Sequence, residues 1–167
     1  MNLIVAVAQD WGIGKNNDLL FHIPKDKAFF KGKTINQVVV MGRKTFESLP
    51  GKSPLKDRVN IVLTNNESYK ADDIVVCSSI NALKEELTKY DDKEIYVIGG
   101  ESIYEYFLPY CEKAFVTKIH GKKDADCFFP NLDNLDNWEK AESMPVINSE
   151  DIDIGFYTYA NKQVMSF

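Results

Sequence analysis

The segment FHIPKDKAFFK, residues 21–31, puts a carboxylate beside two aromatic rings. Pro24 is placed to open a short helix, and Gly32 is placed to close it. On such a helix Asp26 and Phe30 lie four residues apart and therefore share a face. A carboxylate on an aromatic surface can bind a flat heterocycle through two parallel, charge-assisted hydrogen bonds. An alternative needs no catalytic role, because an acid in the first turn also stabilises the helix dipole.

The stretch VVVMGRKTFESLPG has residues suited to contact with phosphate. A buried strand is predicted to end at Met41, and a helix is predicted to begin near Arg43, directly after Gly42. Such a turn directs backbone N–H groups and the positive end of the helix outward. Lys44 adds a charge and Thr45 adds a hydroxyl donor. An ordinary strand–helix turn would have the same pattern, and the GxxxxGK[ST] spacing of a P-loop is missing.

A second strand end, in YVIGGES, carries Gly99 and Gly100, and paired glycines let the backbone approach a ligand. Ligands of open α/β sheets bind at the carboxyl ends of strands, so both glycine-bearing ends could face one cofactor. The dinucleotide fingerprint GxGxxG itself is absent. Arg58 lies in a loop just before the apolar run NIVLT. Beside a pocket it would bind a carboxylate through two hydrogen bonds, and elsewhere it would be solvated.

Composition and charge argue against several classes of protein. The 167 residues, 44% hydrophobic and 27% charged, fit one globular domain. The net charge is −5 with basic and acidic residues interleaved, which argues against a nucleic-acid surface. Three scattered cysteines and two histidines support free thiols in a reducing compartment rather than a metal site. The apolar N-terminus is short and lacks a basic leader, so we expect a buried strand, no membrane span and a cytoplasmic protein.

The periodicity predicts an α/β fold in a single domain, residues 1–167. Continuous apolar runs indicate strands covered on both faces, as in a mostly parallel sheet. The C-terminal third has strand character without long helices, which predicts an antiparallel edge. We therefore expect eight strands and four flanking helices. The predicted strands are 3–8, 37–41, 60–64, 73–77, 94–100, 114–121, 138–144 and 155–164, and the predicted helices are 24–31, 43–49, 79–90 and 101–108.

Five segments in order resemble dihydrofolate reductase of the bacterial type: VAVAQDWGIG, FHIPKDKAFFK, VVMGRKTFESLP, YVIGGESIYEYFLP and DADCFFP. Their order and spacing fit along nearly the whole chain. The resemblance implies an eight-stranded, largely parallel sheet with four helices. It also implies NADPH-dependent reduction of 7,8-dihydrofolate to tetrahydrofolate in one-carbon metabolism. Antifolate inhibitors would be further small-molecule ligands, and a monomer is expected.

The resemblance also implies roles for individual residues. Asp26, Phe21 and Leu19 would be catalytic, and Asp26 would hold the pteridine's amino group and ring N–H. Substrate would contact Val5, Ala6, Asp26, Phe30, Leu55, Arg58 and Thr117, with Arg58 on the glutamate α-carboxylate and Thr117 supporting Asp26. The cofactor would contact Ala6, Ile13, Gly14, Gly42, Arg43, Lys44, Thr45, Thr64, Asn65, Ile98, Gly99, Gly100, Glu101, Ser102, Ile103 and Tyr104.

Two residues depart from the family pattern. Phe21 stands where the family usually has Trp, so an indole N–H donor is lost. Ser102 stands where some members have Arg near the cofactor's ribose phosphate, which bears on the preference for NADPH. Two other functions stay open at this point. The chain could reduce a different heterocycle with NADPH, or it could bind folates or nucleotides without turnover. Steady NADPH oxidation in the presence of dihydrofolate would distinguish dihydrofolate reduction from these two alternatives.

Overall fold

A computed structural model describes residues 1–167 as one central sheet, a small second sheet and four helices. Three short 3₁₀ turns follow α2, α4 and β9, at Pro50–Lys52, Leu108–Tyr110 and Leu132–Asn134. The helices are α1 Pro24–Thr34, α2 Arg43–Ser48, α3 Ile80–Leu87 and α4 Glu101–Phe107. The strands are β1 Asn2–Val7, β2 Gly12–Lys15, β3 Asp18–Leu19, β4 Val38–Gly42, β5 Val59–Leu63, β6 Val75–Cys77, β7 Ile95–Val97, β8 Lys113–Ile119, β9 Cys127–Phe128, β10 Trp138–Ser143, β11 Ile147–Ser149 and β12 Ile152–Asn161.

The central sheet runs in the order β10-β12-β8-β1-β7-β4-β5-β6, and β11 pairs with β12 outside this path. All pairs from β8 to β6 are parallel, whereas β12 is antiparallel to both β8 and β10. The predicted fold class is confirmed: a mostly parallel eight-stranded sheet, an antiparallel edge and four helices. The sequence did not predict that β12 would insert between β8 and β10.

The continuous apolar runs reflect burial on both faces of the sheet. Val38, Val39, Val40 and Met41 of β4 are all fully buried. Val38 and Val40 belong to one core cluster, while Val39 and Met41 belong to another with Phe46 of α2. Because successive side chains of a strand point to opposite faces, a strand with no polar alternation requires a core on each side.

Two predicted helix boundaries were wrong. Helix α1 continues through Gly32 to Thr34, and a Cβ placed on Gly32 would meet no atom within 4 Å. The glycine is an exposed position inside the helix rather than its end. The Thr34 hydroxyl donates to the carbonyl oxygen of Phe30 at 2.8 Å in the last turn. Helix α3 begins as predicted, with Ser79 Oγ accepting from the Ala82 N–H at 3.1 Å, but it ends at Leu87.

Strands β3, β2 and β9 form the small sheet, which the sequence did not predict. Its strands have two to four residues, and two of the four residues of β2 are glycines. Such short, partly exposed strands have no hydrophobic period that a sequence pattern could reveal. None of the four helices has the length and hydrophobicity that crossing a bilayer requires.

Candidate active site

A cleft lies between the ends of β1 and β7, the first turns of α2 and α4, and the small sheet. Ten of its fifteen lining residues are among those named from the family resemblance. Lys15, Asn17, Asp18, Ser48 and Cys127 were missed, and four of these five belong to the small sheet or its β2–β3 turn. The ten are Val5, Ala6, Ile13, Gly14, Leu19, Thr45, Ile98, Gly100, Glu101 and Tyr104.

The two glycine-bearing strand ends meet at this cleft, because β4 and β7 are neighbours in the sheet. The N–H of Gly42 donates to the carbonyl oxygen of Gly99 at 2.8 Å. Gly99 has φ +110°, and a Cβ there would lie 2.8 Å from Cε2 of Tyr104. A Cβ on Gly100 would lie 3.3 Å from Thr45 Oγ1. Side chains at these glycines would therefore fill the space between the turns that precede α2 and α4.

Asp26 projects from the first turn of α1 towards strand β8. The hydroxyl of Thr117 lies near its carboxylate and favours the charged form. Thr117 is buried and is the register partner of Ala6 on β1, which lines the cleft. Burial raises the pKa of Asp26, while the Thr117 hydrogen bond and the charge of Lys27 lower it by less. The group is thus a carboxyl whose charged form lacks solvation, and a ligand with N–H donors would supply what is missing.

Tyr104 of α4 is close enough to Asp26 to be affected by its charge, and its ring also lies against Gly99. Its hydroxyl donates to the carbonyl oxygen of Ile4 at 2.8 Å, and the side chain is buried. Burial raises the pKa of Tyr104, and the negative charge of Asp26 raises it further. The phenol therefore stays protonated, and its hydrogen is already donated to the backbone of β1.

Beyond Asp26, helix α1 and the loop before β5 carry the aromatic and cationic residues. The Arg58 guanidinium lies with its carbon 5.9 Å from the centre of the Phe30 ring. Its Nε donates to Thr34 Oγ1 at 3.2 Å and its Nη1 donates to the Lys56 carbonyl oxygen at 2.8 Å. Arg58 forms no ion pair with an acid, and its Nη2 donates no hydrogen bond. Two bonds fix the guanidinium plane and one nitrogen stays available for a ligand.

Asn60 holds the loop in front of Arg58, and the sequence analysis missed it. Its side chain accepts from the N–H of Leu55 at 2.9 Å and donates to the carbonyl oxygen of Leu55 at 2.9 Å. A second donation reaches the Arg58 carbonyl oxygen at 3.1 Å. The available signal was a buried polar residue at the start of the apolar run NIVLT. This amide fixes both Leu55 and Arg58 relative to β5.

The basic residues proposed for phosphate, Arg43 and Lys44, lie in the first turn of α2, directly before the cleft residue Thr45. Nε of Arg43 is 4.0 Å from the carboxylate of Glu47, and its guanidinium carbon is 6.0 Å from the centre of the Tyr69 ring. The charge of Lys44 only partly opposes the rise in the pKa of Cys127 that burial and Asp126 cause, which places Lys44 near the small sheet. Three further predicted residues lie nearby. Ile103 packs against Gly42, while Thr64 and Asn65 follow β5, the neighbour of β4.

Comparison with known proteins agrees with this geometry. The model of the family described as dihydrofolate reductase matches residues 1–161. Dihydrofolate reductase of Staphylococcus haemolyticus is 34% identical over 164 residues, which cover 98% of this chain and 96% of that protein. The Bacillus subtilis enzyme is 38% identical over 144 residues, covering 86% and 82%.

The chain belongs to the dihydrofolate reductase family. A solved structure of dihydrofolate reductase from Enterococcus faecalis, complexed with NADP(H) and RAB-propyl, has a TM-score of 0.84 and 35% identity. The similarity covers 96% of this chain and 95% of that one. The family membership therefore extends to the three-dimensional fold, including the antiparallel edge.

Phe21, the departure from the usual dihydrofolate reductase pattern, has neighbours that suit a phenyl ring. A Cβ on Gly121 would lie 3.1 Å from its Cζ, and the Lys123 ammonium lies 4.6 Å from its ring centre. The ring face is thus covered by a cation, and the ring edge touches a glycine. Ser102, the other departure, is exposed on α4. Leu19, 58% exposed on β3, reaches the cleft with its side chain largely in solvent.

Proposed function

We propose that the chain reduces 7,8-dihydrofolate to 5,6,7,8-tetrahydrofolate with NADPH. The observation that carries this proposal is the Asp26 carboxylate, which is partly buried, lies near the Thr117 hydroxyl and is close to the cleft residues Ala6 and Tyr104. Burying a carboxylate without a counter-ion is unfavourable unless a ligand compensates. The membership of the chain in the dihydrofolate reductase family supports the same reaction.

Asp26 binds the edge of the pterin. The amino group and the adjacent ring N–H form two parallel donors, and a carboxylate accepts both in a charge-assisted pair. Thr117 holds one carboxylate oxygen in place through its own hydroxyl. Phe30 and Leu55 cover the pterin and aminobenzoate rings, and Arg58 binds the glutamate α-carboxylate with the nitrogen that the protein leaves free. Val5 and Ala6 form the wall at the end of β1.

The residues around the two strand ends fit a dinucleotide cofactor. At Gly42, Gly99 and Gly100 a side chain would crowd Ile103, Tyr104 and Thr45, so glycine keeps the two turns close together, and Gly100 lines the cleft where a ligand would approach the backbone. NADPH supplies the hydride of the reaction when it is bound. Arg43, Lys44 and Thr45 face its phosphates, Thr64, Asn65 and Ser102 its adenosine half, and Ile98, Ile103 and Tyr104 the remaining wall. Ile13, Gly14 and Leu19 cover the nicotinamide end.

The protein's part in the chemistry is to position the rings and to favour a proton at N5 of the pterin. Reduction adds a hydride to C6 and a proton to N5 of the C6–N5 double bond. The negative charge of Asp26 stabilises the protonated form of the bound pterin through the electrostatic field across the ring. Phe21 and Leu19 keep water from the reacting edge. We propose that the protein acts as a monomer in the cytoplasm and binds antifolates at the same carboxylate.

The test is a spectrophotometric assay of NADPH with dihydrofolate. We expect steady loss of the NADPH absorbance, dependent on both compounds, with tetrahydrofolate as product. Oxidation only in the presence of another heterocycle would replace the substrate in this proposal. Tight binding of both compounds without any oxidation would reject the catalytic assignment. A competitive antifolate that stops the oxidation would identify the pterin-binding edge as the reacting site.

A further inference from the structure

Glu101 makes a contact that a cofactor-binding residue would not need. It is the first residue of α4, directly after Gly100, and it lines the cleft. Its Oε1 accepts a hydrogen bond from the backbone N–H of Phe128 at 2.9 Å. A carboxylate is a poor partner for a phosphate because both are negative, so the resemblance alone gives Glu101 no favourable interaction. The contact with Phe128 gives this charge a donor.

Strand β9, which contains Phe128, is paired with β2, and β2 is paired with β3. Phe128 is the register partner of Gly12, and Cys127 is the partner of Gly14. Gly14 in turn pairs with Leu19 of β3. The residues that cover one side of the cleft are therefore attached to β9 through two backbone ladders. A displacement of β9 moves all of them together.

The two polar side-chain contacts that join β9 to β2 are internal to the small sheet and its connecting loops, whereas Ile13 of β2 packs on the main core. Asp126 accepts from the N–H of Asn16 at 2.9 Å, and Lys15 pairs with Asp124. These bonds join β9 to β2, but they do not attach either strand to the helices. Among side-chain hydrogen bonds, the Glu101 contact is the one that joins the small sheet to α4.

We propose that Glu101 is a positioning residue whose carboxylate holds the small sheet against α4 and so sets how tightly the cleft closes over its ligand. The effect on NADPH rests on the function proposed above. Loss of the contact would loosen Phe128 on the first turn of α4, although Phe129 stays packed on Tyr104 with 4.9 Å between ring centres, and a bound dinucleotide would leave more easily. The substrate side, at Asp26 and Arg58, does not touch the small sheet through Glu101. The proposal therefore predicts a loss specific to the cofactor.

The chain contains its own reporter for this movement. Cys127 lines the cleft beside Phe128 and is half-buried, whereas Cys77 is 3% exposed and Cys111 is 0% exposed. Iodoacetamide should therefore modify Cys127 first in the native protein, at a rate that rises when β9 separates from α4. Burial and the charges of Asp126 and Glu101 raise the pKa of the Cys127 thiol. Because the Glu101 charge itself affects the reactivity of this thiol, the comparison needs a reference variant that loses the charge but keeps an acceptor for the hydrogen bond.

Three variants separate the hydrogen bond from the charge. Glu101→Gln removes the charge but keeps an oxygen acceptor for Phe128, while Glu101→Ala removes both. Glu105→Ala removes an exposed acid one turn further along the same helix. We expect iodoacetamide to modify Cys127 about fivefold faster in Glu101→Ala than in Glu101→Gln, as suits one partly exposed hydrogen bond. The KM for NADPH should be higher in Glu101→Ala than in Glu101→Gln by a similar factor, and the KM for dihydrofolate should be the same in both. Glu105→Ala should match the parent protein in all three measurements.

The outcomes distinguish this inference from the proposed function. Equal alkylation rates in Glu101→Ala and Glu101→Gln would overturn it, even if both exceed the parent rate, because the charge alone would then be responsible. A similar change in Glu105→Ala would also overturn it. The alkylation comparison needs no cofactor. A fivefold difference in a protein that oxidises no NADPH would keep the positioning role and reject the proposed reaction.

Discussion

At the scale of single residues, Asp26 and Arg58 are each positioned by protein contacts but keep hydrogen-bonding capacity that no protein group uses. Asp26 has the Thr117 hydroxyl nearby, and partial burial leaves its carboxylate poorly solvated. Arg58 has one free terminal nitrogen beside the Phe30 ring. Binding sites commonly keep a few polar groups orientated but unsatisfied, because the ligand then supplies the missing partners. Asp26 suits the end of a ligand that donates hydrogen bonds, and Arg58 suits a carboxylate at the other end of the same ligand.

Substitution Asp26→Asn tests the role of the charge in catalysis. The amide keeps the shape but directs an N–H towards the ligand's donors, and a buried donor left unpaired costs about 1–3 kcal/mol. We expect dihydrofolate to bind more weakly and kcat to fall further than binding, because protonation at N5 also loses its anion. Residual activity should rise as pH falls, since solvent then protonates the pterin. Assays between about pH 5 and 9 measure this, and near-normal turnover at neutral pH would reject the assignment.

Substitution Arg58→Ala tests the carboxylate site. Losing a charge-assisted pair with a partly exposed carboxylate should weaken dihydrofolate binding by about 1.5–3 kcal/mol. NADPH binding should change little, because Arg58 precedes β5 whereas the glycine turns follow the parallel strands β4 and β7, at the other edge of the sheet. Lys56→Ala, an exposed neighbour in the same loop, is the matched control for the lost charge. Binding titrations with dihydrofolate and with NADPH test this prediction. Equal losses of affinity for the two ligands would mean that Arg58 does not bind the substrate.

At the scale of elements, two strand–helix turns converge because their strands are neighbours. The first turn of α2, which begins at Arg43, brings Thr45 to the cleft, and the turn before α4 brings Gly100. Arg43 is near an acid of its own helix, Glu47, at 4.0 Å. That carboxylate partly neutralises the arginine, and Ser102 on α4 supplies no second cation. A modest preference for NADPH over NADH follows from this arrangement.

Substitution Arg43→Ala tests which element selects the cofactor. The ratio of kcat/KM for NADPH to that for NADH should fall, because only NADPH carries the additional ribose phosphate. Removal of one exposed charge–phosphate contact should reduce the ratio by about three- to tenfold. Lys52→Ala, a basic residue of the following turn, should leave the ratio as it is. An unchanged ratio in Arg43→Ala would assign the discrimination to another element.

At the scale of the whole molecule, the binding site costs stability. The folded-state pKa of Asp26 lies above its ordinary value of 3.8. In the pH range between the two values the folded protein binds more protons than the unfolded chain, so stability falls as pH rises. The penalty is absent below the ordinary value, and it is fully present above the raised one. A site that awaits an ionic ligand is thus unfavourable in the free protein, as expected when function and stability conflict.

The same variant, Asp26→Asn, should therefore be more stable than the parent protein at neutral pH. Each kcal/mol recovered would raise Tm by about 2–4 °C for a chain of this size. The gain should shrink as pH falls towards the ordinary carboxyl pKa, because the parent's carboxyl is then neutral too. Calorimetry of both proteins at several pH values tests this. Equal Tm values at neutral pH would mean that the Thr117 hydroxyl and the charge of Lys27 fully offset the cost of burying the Asp26 carboxylate.

The sequence by itself determined the class of fold. Strands covered on both faces need unbroken apolar runs, and a helix start such as the Ser79 cap depends on residues three apart. These signals are local, so they survive in the sequence without any knowledge of partners. Gly32 shows the limit of the same reasoning, because an exposed glycine in a helix resembles a helix end until the neighbouring turns are known.

Only the tertiary structure decided which distant residues meet. Thr117 lies beside Ala6 because β8 pairs with β1, and Gly42 reaches Gly99 because β4 pairs with β7. No periodicity indicates these pairings; the family resemblance named the residues without their distances. The Glu101–Phe128 contact had no signal of either kind. Contacts between residues far apart in sequence depend on strand order and register, which the packing of the whole chain selects, and this is why the site is assembled only in the folded molecule.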